Sequence, residues 1–203
     1  MINFYRFIIV CFSKIIRFFY ILRLKQNKKI YIEGCLNLKS IPNIYIINNA
    51  SLFIGDNVTL NSNNKYYHLN MYASVKILAD REGAVISIGR NTRINGACIH
   101  AWKSVSIGEN CLIAANCQII DSNGHDLSFD NVENRINTKD NPKDIVIEDN
   151  VWLGANTIVL SGVKIGRGSV ISANSVVVKD IPPMVVAGGN PAVIIRTNIL
   201  DDE

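Results

Sequence analysis

Histidine is the side chain that exchanges protons near neutral pH without environmental help, and this 203-residue chain has three: His68, His100 and His125. His125 has the most suggestive surroundings. It follows a glycine and sits between two carboxylates in Asp121-Ser-Asn-Gly-His125-Asp126, so that a carboxylate can orient the ring while its other nitrogen faces a cleft. Such a ring suits a general base that takes a proton from a hydroxyl. His100 falls where a repeat phase calls for an aliphatic and reads as a corner or cleft residue. His68, with Tyr66, Tyr67 and Tyr72 nearby, reads as structural or as a contact to substrate. No metal site is expected. Zinc would need three converging ligands, and the chain has no H-x-x-x-x-H and no C-x-x-C among its five cysteines. Cysteines without framework spacing fit a reducing cytoplasm.

The element that must position His125 is a repeat of period six. From Ile147 an aliphatic returns at Leu153, Val159, Ile165, Ile171 and Val177. Four places after each of the first five stands a small or β-branched residue: Val151, Thr157, Val163, Ser169, Ser175. Asn150, Asn156, Gly162, Gly168 and Asn174 precede these, residue types that tolerate a left-handed backbone and so turn a corner once per hexad. Three hexads make one triangular coil, and stacked coils bury the aliphatic column. The pattern recurs at Ile54-Gly-Asp-Asn-Val58, Ile88-Gly-Arg-Asn-Thr92 and Ile107-Gly-Glu-Asn-Cys111, so the solenoid begins near residue 30, with a bulged coil at 61–80. Cys98, Cys111 and Cys117 are expected at the small buried position.

The period fails over 125–146, 22 residues opening with His125. A long aperiodic insertion in a solenoid protrudes, and such loops are usually functional.

Charge is uneven along the chain. Of 21 Lys+Arg, seven lie in residues 1–29 with no acid, leaving 14 bases against 17 acids in the remainder. The body therefore lacks the basic face that nucleic-acid binding requires. Residues 1–29 read as an amphipathic basic helix, with Arg6, Ser13, Lys14 and Arg17 within about a quarter-turn at 100° per residue. Its longest uncharged run, Phe7 to Ser13, is too short to span a bilayer. The expectation is a helix lying on a membrane surface with its bases toward anionic lipid, or packed on the protein's own body or a partner chain. Residues 197–203 form an acidic tail.

Together, IGENCLIAANCQIIDSNGH (107–125) and NVWLGANTIVLSGVKIGRGSVISANSVVVKDIPPMVVAGGNPAVIIR (150–196) resemble the hexapeptide-repeat acyltransferases, in their galactoside and maltose acetyltransferase branch. The resemblance covers roughly Ile88 to Arg196. It implies an all-β fold, a left-handed parallel β-helix spanning 30–196, with the amphipathic helix and the protruding loop as additions. It also implies a cytoplasmic homotrimer using acetyl-CoA and no metal. His125 matches the family's catalytic base and Asn95 an asparagine near the acetyl group. Trp152, Ala155 and Ala173 match the wall and backbone meeting the pantetheine arm, and Lys179 and Arg196 match basic residues toward the nucleotide phosphates. Three positions depart: a tail base falls on Val193, a threonine on Val178, and a sugar-contacting carboxylate on Trp102 or Lys103.

The expected function is transfer of acetyl from acetyl-CoA to a sugar hydroxyl of a cell-surface glycan precursor, by direct attack on the thioester, at the inner face of the membrane. An N-acetyltransferase of amino-sugar nucleotides and a non-catalytic β-helical scaffold are the alternatives.

Overall fold

The computed structural model describes residues 2–197, so the expected tail, apart from Thr197, lies outside the described residues. The hexads fold as read. Short strands follow one another around three faces, and each pairs in parallel with the strand one coil on. The first sheet runs from Ile30–Ile32 to Lys164–Ile165 and the third from Asn43–Ile46 to Val176–Val177, six strands each. The second runs from Leu36–Lys39 through Val170–Ile171 to a closing antiparallel pair, Val185–Gly189 and Ala192–Thr197.

The column Ile147, Leu153, Val159, Ile165, Ile171, Val177 is buried along the axis. Thr157, Ser169 and Ser175 are fully buried beside it, and each hydroxyl donates to a main-chain carbonyl at 2.6–2.7 Å, so no polar group there is left unpaired. The corner asparagines Asn57, Asn91, Asn110, Asn116, Asn150, Asn156 and Asn174 take φ of 55–64°, the left-handed conformation the spacing required. Their amides also bond coil to coil, as Asn57 to Asn91 and Asn156 to Asn174, both at 2.9 Å.

Cys111 and Cys117 are buried as expected, and burial pushes the Cys117 thiol up to about 12. Cys98 is not at the inward position. Ala97 takes that place, and Cys98 faces out between Lys76 and Gln118. The same one-residue slip after Gly96 puts Ile99 in the core and turns His100 outward, where Nε2 meets the Asp80 carboxylate at 3.1 Å.

Two excursions leave the solenoid. A plain coil takes 18 residues from Val146 to its partner Lys164, whereas 40 separate Val105 from Ile145. The long excursion leaves after the strand Gln118–Ile120, at the corner from the third sheet to the first, and the strand Ile145–Ile147 resumes within the span read as loop. A shorter one occupies 62–75, at the corner from the second sheet to the third.

Helix α1 (Ile2–Gln26) covers the open first coil. Leu24 is buried in the core, the Tyr20 hydroxyl donates to Pro42 O at 2.9 Å, and Arg17 donates to Leu38 O at 2.9 Å. Of the polar stripe, Arg17 turns onto the solenoid, while Ser13 and Lys14 are exposed. Phe12, Ile15, Ile16, Phe18, Phe19 and Leu22 also face outward. The Arg6 side chain lies outside the described residues. No helix among the described residues is long and apolar enough to cross a membrane.

Candidate active site

On the outer face of the second sheet, at its corner with the third, a groove of about 640 Å³ brings together four of the residues singled out by sequence: Asn95, Trp152, Ala155 and Ala173. Alternation along the strands explains the wall. Residues neighbouring the buried Ile94, Ile113 and Leu153 must point out, so Leu112 and Trp152 stack in one outward row, cross-strand partners in adjacent coils. The 62–75 excursion stands over the groove and contributes Tyr67, His68 and Leu69. It is pinned to the corner by Asn116, whose side chain donates to Asn70 O at 3.0 Å and accepts from Tyr72 N at 2.9 Å. Burial raises the Tyr67 phenol above its ordinary pKa.

Asn95 is not a corner residue. It lies on the strand Arg93–Asn95, where its Oδ1 accepts from Asn61 at 3.0 Å and its Nδ2 donates to Ile113 O at 2.9 Å. Its amide is thus held in one orientation with one Nδ2 hydrogen to spare. The backbone N–H groups of Ala155 and Ala173 donate to no acceptor among the described residues. They are open donors on a wall that approaches closely, since a Cβ on Gly154 would lie 2.5 Å from Ala173 N. Arg196 is exposed and pairs with Val186 at the far end of the outward row that contains Trp152.

His125 and Lys179 are elsewhere. Both lie at the corner from the third sheet to the first, His125 at the root of the long excursion and Lys179 just after the strand Val176–Val177. Two coils separate them, about 10 Å along the axis at strand spacing. The His125 ring is exposed, and its Nδ1 lies 3.1 Å from Thr138 O. A carbonyl only accepts, so this bond puts the proton on Nδ1 and leaves the Nε2 lone pair open, the tautomer a general base requires. The orienting group is therefore a carbonyl and not a carboxylate. Asp121 is instead buried beneath the loop, accepting from the N–H groups of Trp102, Lys103 and Ser104 at 2.7–2.8 Å. Burial pushes its carboxyl above the ordinary value even so. Asp126 accepts from Ser128, which holds its pKa down.

The position where the resemblance places a sugar-contacting carboxylate carries no acid, whether it falls on Trp102 or Lys103. Arg81 lies over the Trp102 ring at 4.1 Å from its centroid, and Lys103 pairs with Asp144 at 2.9 Å. A larger and more open depression on the first sheet, about 960 Å³, holds a stacked Tyr31–Phe53 pair and an Arg90 bound to Glu109, and none of the candidate site residues lines it. No cluster of three or more His, Cys, Asp or Glu suited to a metal ion occurs among the described residues. Sequence reading missed Lys39 and Arg93, while of the 62–75 wall it had His68, read as structural or as a contact to substrate. Arg93 was within reach, since it precedes the inward Ile94 and had to face out.

Comparison with known proteins agrees with this architecture. Residues 144–179 match the model of the bacterial transferase hexapeptide (six repeats), and 85–120 match the hexapeptide repeat of succinyl-transferase. The chain is 43% identical over 115 residues to the galactoside O-acetyltransferase of Escherichia coli (strain K12), covering 56% of this chain and 55% of that protein. It resembles the crystal structure of a hexapeptide-repeat acetyltransferase of Vibrio cholerae O1 biovar eltor complexed with acetyl coenzyme A. Identity is 39% and TM-score 0.51, with 55% of this chain and 60% of that one covered. The polySia-specific acetyltransferase NeuO is similar over more of the fold, with 29% identity, TM-score 0.52, and 85% and 88% of the two chains covered. The chain spans about half the length of the curated relatives it matches.

Proposed function

Because the chain belongs to the hexapeptide-repeat acyltransferases, we propose that it is an acetyl-CoA-dependent O-acetyltransferase acting on a sugar hydroxyl. The observation that carries this reading is the pair of unspent N–H donors of Ala155 and Ala173 in a groove walled by Trp152. Two amide donors one coil apart, about 4.8 Å, suit an extended arm whose own groups are amide carbonyls. Arg196 and Lys179 supply charge for the nucleotide phosphates.

His125 acts as the base. Its Nε2 takes the proton of the sugar hydroxyl as that oxygen attacks the thioester carbonyl, and the spare Nδ2 hydrogen of Asn95 meets the developing oxyanion. Collapse of the tetrahedral intermediate expels the thiolate, which takes the proton back from the imidazolium. No covalent enzyme intermediate forms. As His125 and the groove lie on different faces of one chain, the working site belongs to the seam between copies of a homotrimer. The prism is left-handed, as its relatives imply.

Residues 1–29 bring this chemistry to an anionic membrane surface on the cytoplasmic side. The apolar stripe of α1 points away from the solenoid, and Lys14, Arg23, Lys25, Lys28 and Lys29 lie on or just beyond the helix. Acceptors attached to lipid would be met there.

Calorimetry with acetyl-CoA, followed by product analysis on matched hydroxyl and amine acceptors, tests the transfer. Saturable binding and an ester product are expected. An amide product, or no binding, would replace the reading with an N-acetyltransferase or a scaffold respectively. Vesicle flotation with Phe12→Ser/Phe19→Ser tests the membrane contact, with binding to anionic vesicles expected to fall to background.

A further inference from the structure

We propose that the acceptor is an acidic sugar, its carboxylate or phosphate held by Arg93 and Lys39 at the end of the groove nearest the first coils. This rests on reading the groove as the transfer site. The outward row of the second sheet runs from Arg93 through Leu112, Trp152, Val170 and Val186 to Arg196. At about 4.8 Å per strand, its two arginines stand about 24 Å apart. The open N–H groups of Ala155 and Ala173 belong to coils between them, following Trp152–Leu153 and Val170–Ile171. A cofactor arm on those donors with its phosphates toward Arg196 leaves the Arg93 end for the acceptor.

Charge at that end is unbalanced. Lys39 and Arg93 both line the groove, no acid lines it, and neither cation has an ion-pair partner among the described residues. Two cations on the first sheet and its corners are already paired: Arg90 meets Glu109 at 2.8 Å and Lys164 meets Glu148 at 2.7 Å. Leu112 is the cross-strand neighbour of Arg93, and Leu69 and Trp152 line the same groove. A planar guanidinium presents paired donors that match a carboxylate or phosphate edge. Thr59, the cross-strand partner of Arg93, adds a neutral polar group suited to a sugar hydroxyl.

Three matched acceptor pairs test this with the full chain and acetyl-CoA. They are oligogalacturonate and its carboxyl-reduced form, an N-acetylneuraminic acid oligomer and its carboxyl-reduced form, and galactose 6-phosphate and galactose. At least one acidic member should show a KM about tenfold or more below its neutral partner, the scale of a charge-assisted hydrogen bond. Which pair responds distinguishes carboxylate from phosphate. Arg93→Gln should erase that preference by raising the acidic KM alone, leaving acetyl-CoA affinity unchanged, while Lys76→Gln on the third sheet changes neither. Equal KM values within every pair, or no binding by any acidic member, overturn the acidic acceptor while acetyl-CoA binding preserves the transferase reading. A loss of acetyl-CoA affinity in Arg93→Gln assigns the arginine to the nucleotide and also overturns it. If the unaltered chain fails to bind acetyl-CoA, the transferase reading falls first and the acidic acceptor with it.

Discussion

The two excursions from the solenoid solve opposite problems. The one at 62–75 folds back: Met71 is buried, Asn70 and Tyr72 are tied to Asn116, and Val75 N donates to the Ser62 hydroxyl at 3.0 Å. It finishes a wall of its own chain's groove. The longer one is tied mainly at its roots, where Asp140 accepts from Asn123 N at 2.6 Å and Lys143 N donates to Asp121 O at 3.0 Å. Its outer part, including the short 3₁₀ turn Val132–Asn137, buries no residue of that turn and leaves Leu127, Phe129, Val132 and Ile136 in water, Phe129 78% exposed. An excursion anchored by the buried Met71 and by the Asn116 corner keeps its place at home even with Leu69 and Tyr72 exposed, whereas one that buries no residue of its turn and displays four apolar side chains is shaped for a surface elsewhere. In the proposed trimer that surface is a neighbouring copy, and His125 travels with the loop that reaches it.

The sharpest way to break this contrast is to separate the two halves of the site. His125→Ala should lower kcat by about 10² to 10⁴ with the melting temperature unchanged, because the ring is exposed and its one side-chain hydrogen bond among the described residues is to Thr138 O. Trp152→Ala should also be impaired, and trimers mixed from the two inactive chains should recover activity at the seams that join one intact groove to one intact histidine. Absence of recovery in verified mixed trimers would place both halves in one copy.

Stability gives a smaller effect. Met71→Ala should cost about 2–5 kcal/mol in urea unfolding, because Met71 packs on Gly96, where an added Cβ would come within 2.9 Å of its own Cβ. Phe129→Ala should leave monomer unfolding within about 0.5 kcal/mol while reducing the trimer fraction in sedimentation. The reverse ranking would mean that the long loop, and not the short one, is packed on its own chain.

The least effect is expected in the frame both excursions share. The Lys164 ammonium, and then the Arg167 N–H, hold the partly exposed Glu148 carboxyl below the ordinary range. A carboxyl with a lower pKa folded than unfolded stabilises the fold above its unfolded pKa, and that contribution disappears as pH falls through the depressed value. Glu148→Gln should flatten the acid limb of a stability–pH curve slightly, since an exposed pair contributes little. A steeper limb would refute the pairing.

Much of the frame was legible because the hexad is a local code. An aliphatic, a small residue and a left-handed corner recur within six positions, so Leu153, Thr157 and Asn156 declare their places without knowledge of any other coil. The code misled at Gly96, where a one-residue slip moved Cys98 to the outside, since a period cannot register its own phase shift. His125 was visible by its place at the break, yet the carbonyl that orients it comes from Thr138, at the other end of the loop. Lys39, Arg93 and the excursion at 62–75 converge only when coils stack.

The sequence by itself determined that this chain stacks triangular coils, which residues line most of their interior, and that a long excursion with His125 at its root interrupts them. Only the tertiary structure decided that Asn95, Trp152, Ala155 and Ala173 share a groove while His125 and Lys179 occupy another corner. The reason is geometric. The inside of a coil is set by neighbours a few residues apart, but each outward row is assembled by parallel pairing between residues 16 to 40 positions apart, as Val170 with Val186 and Leu112 with Trp152.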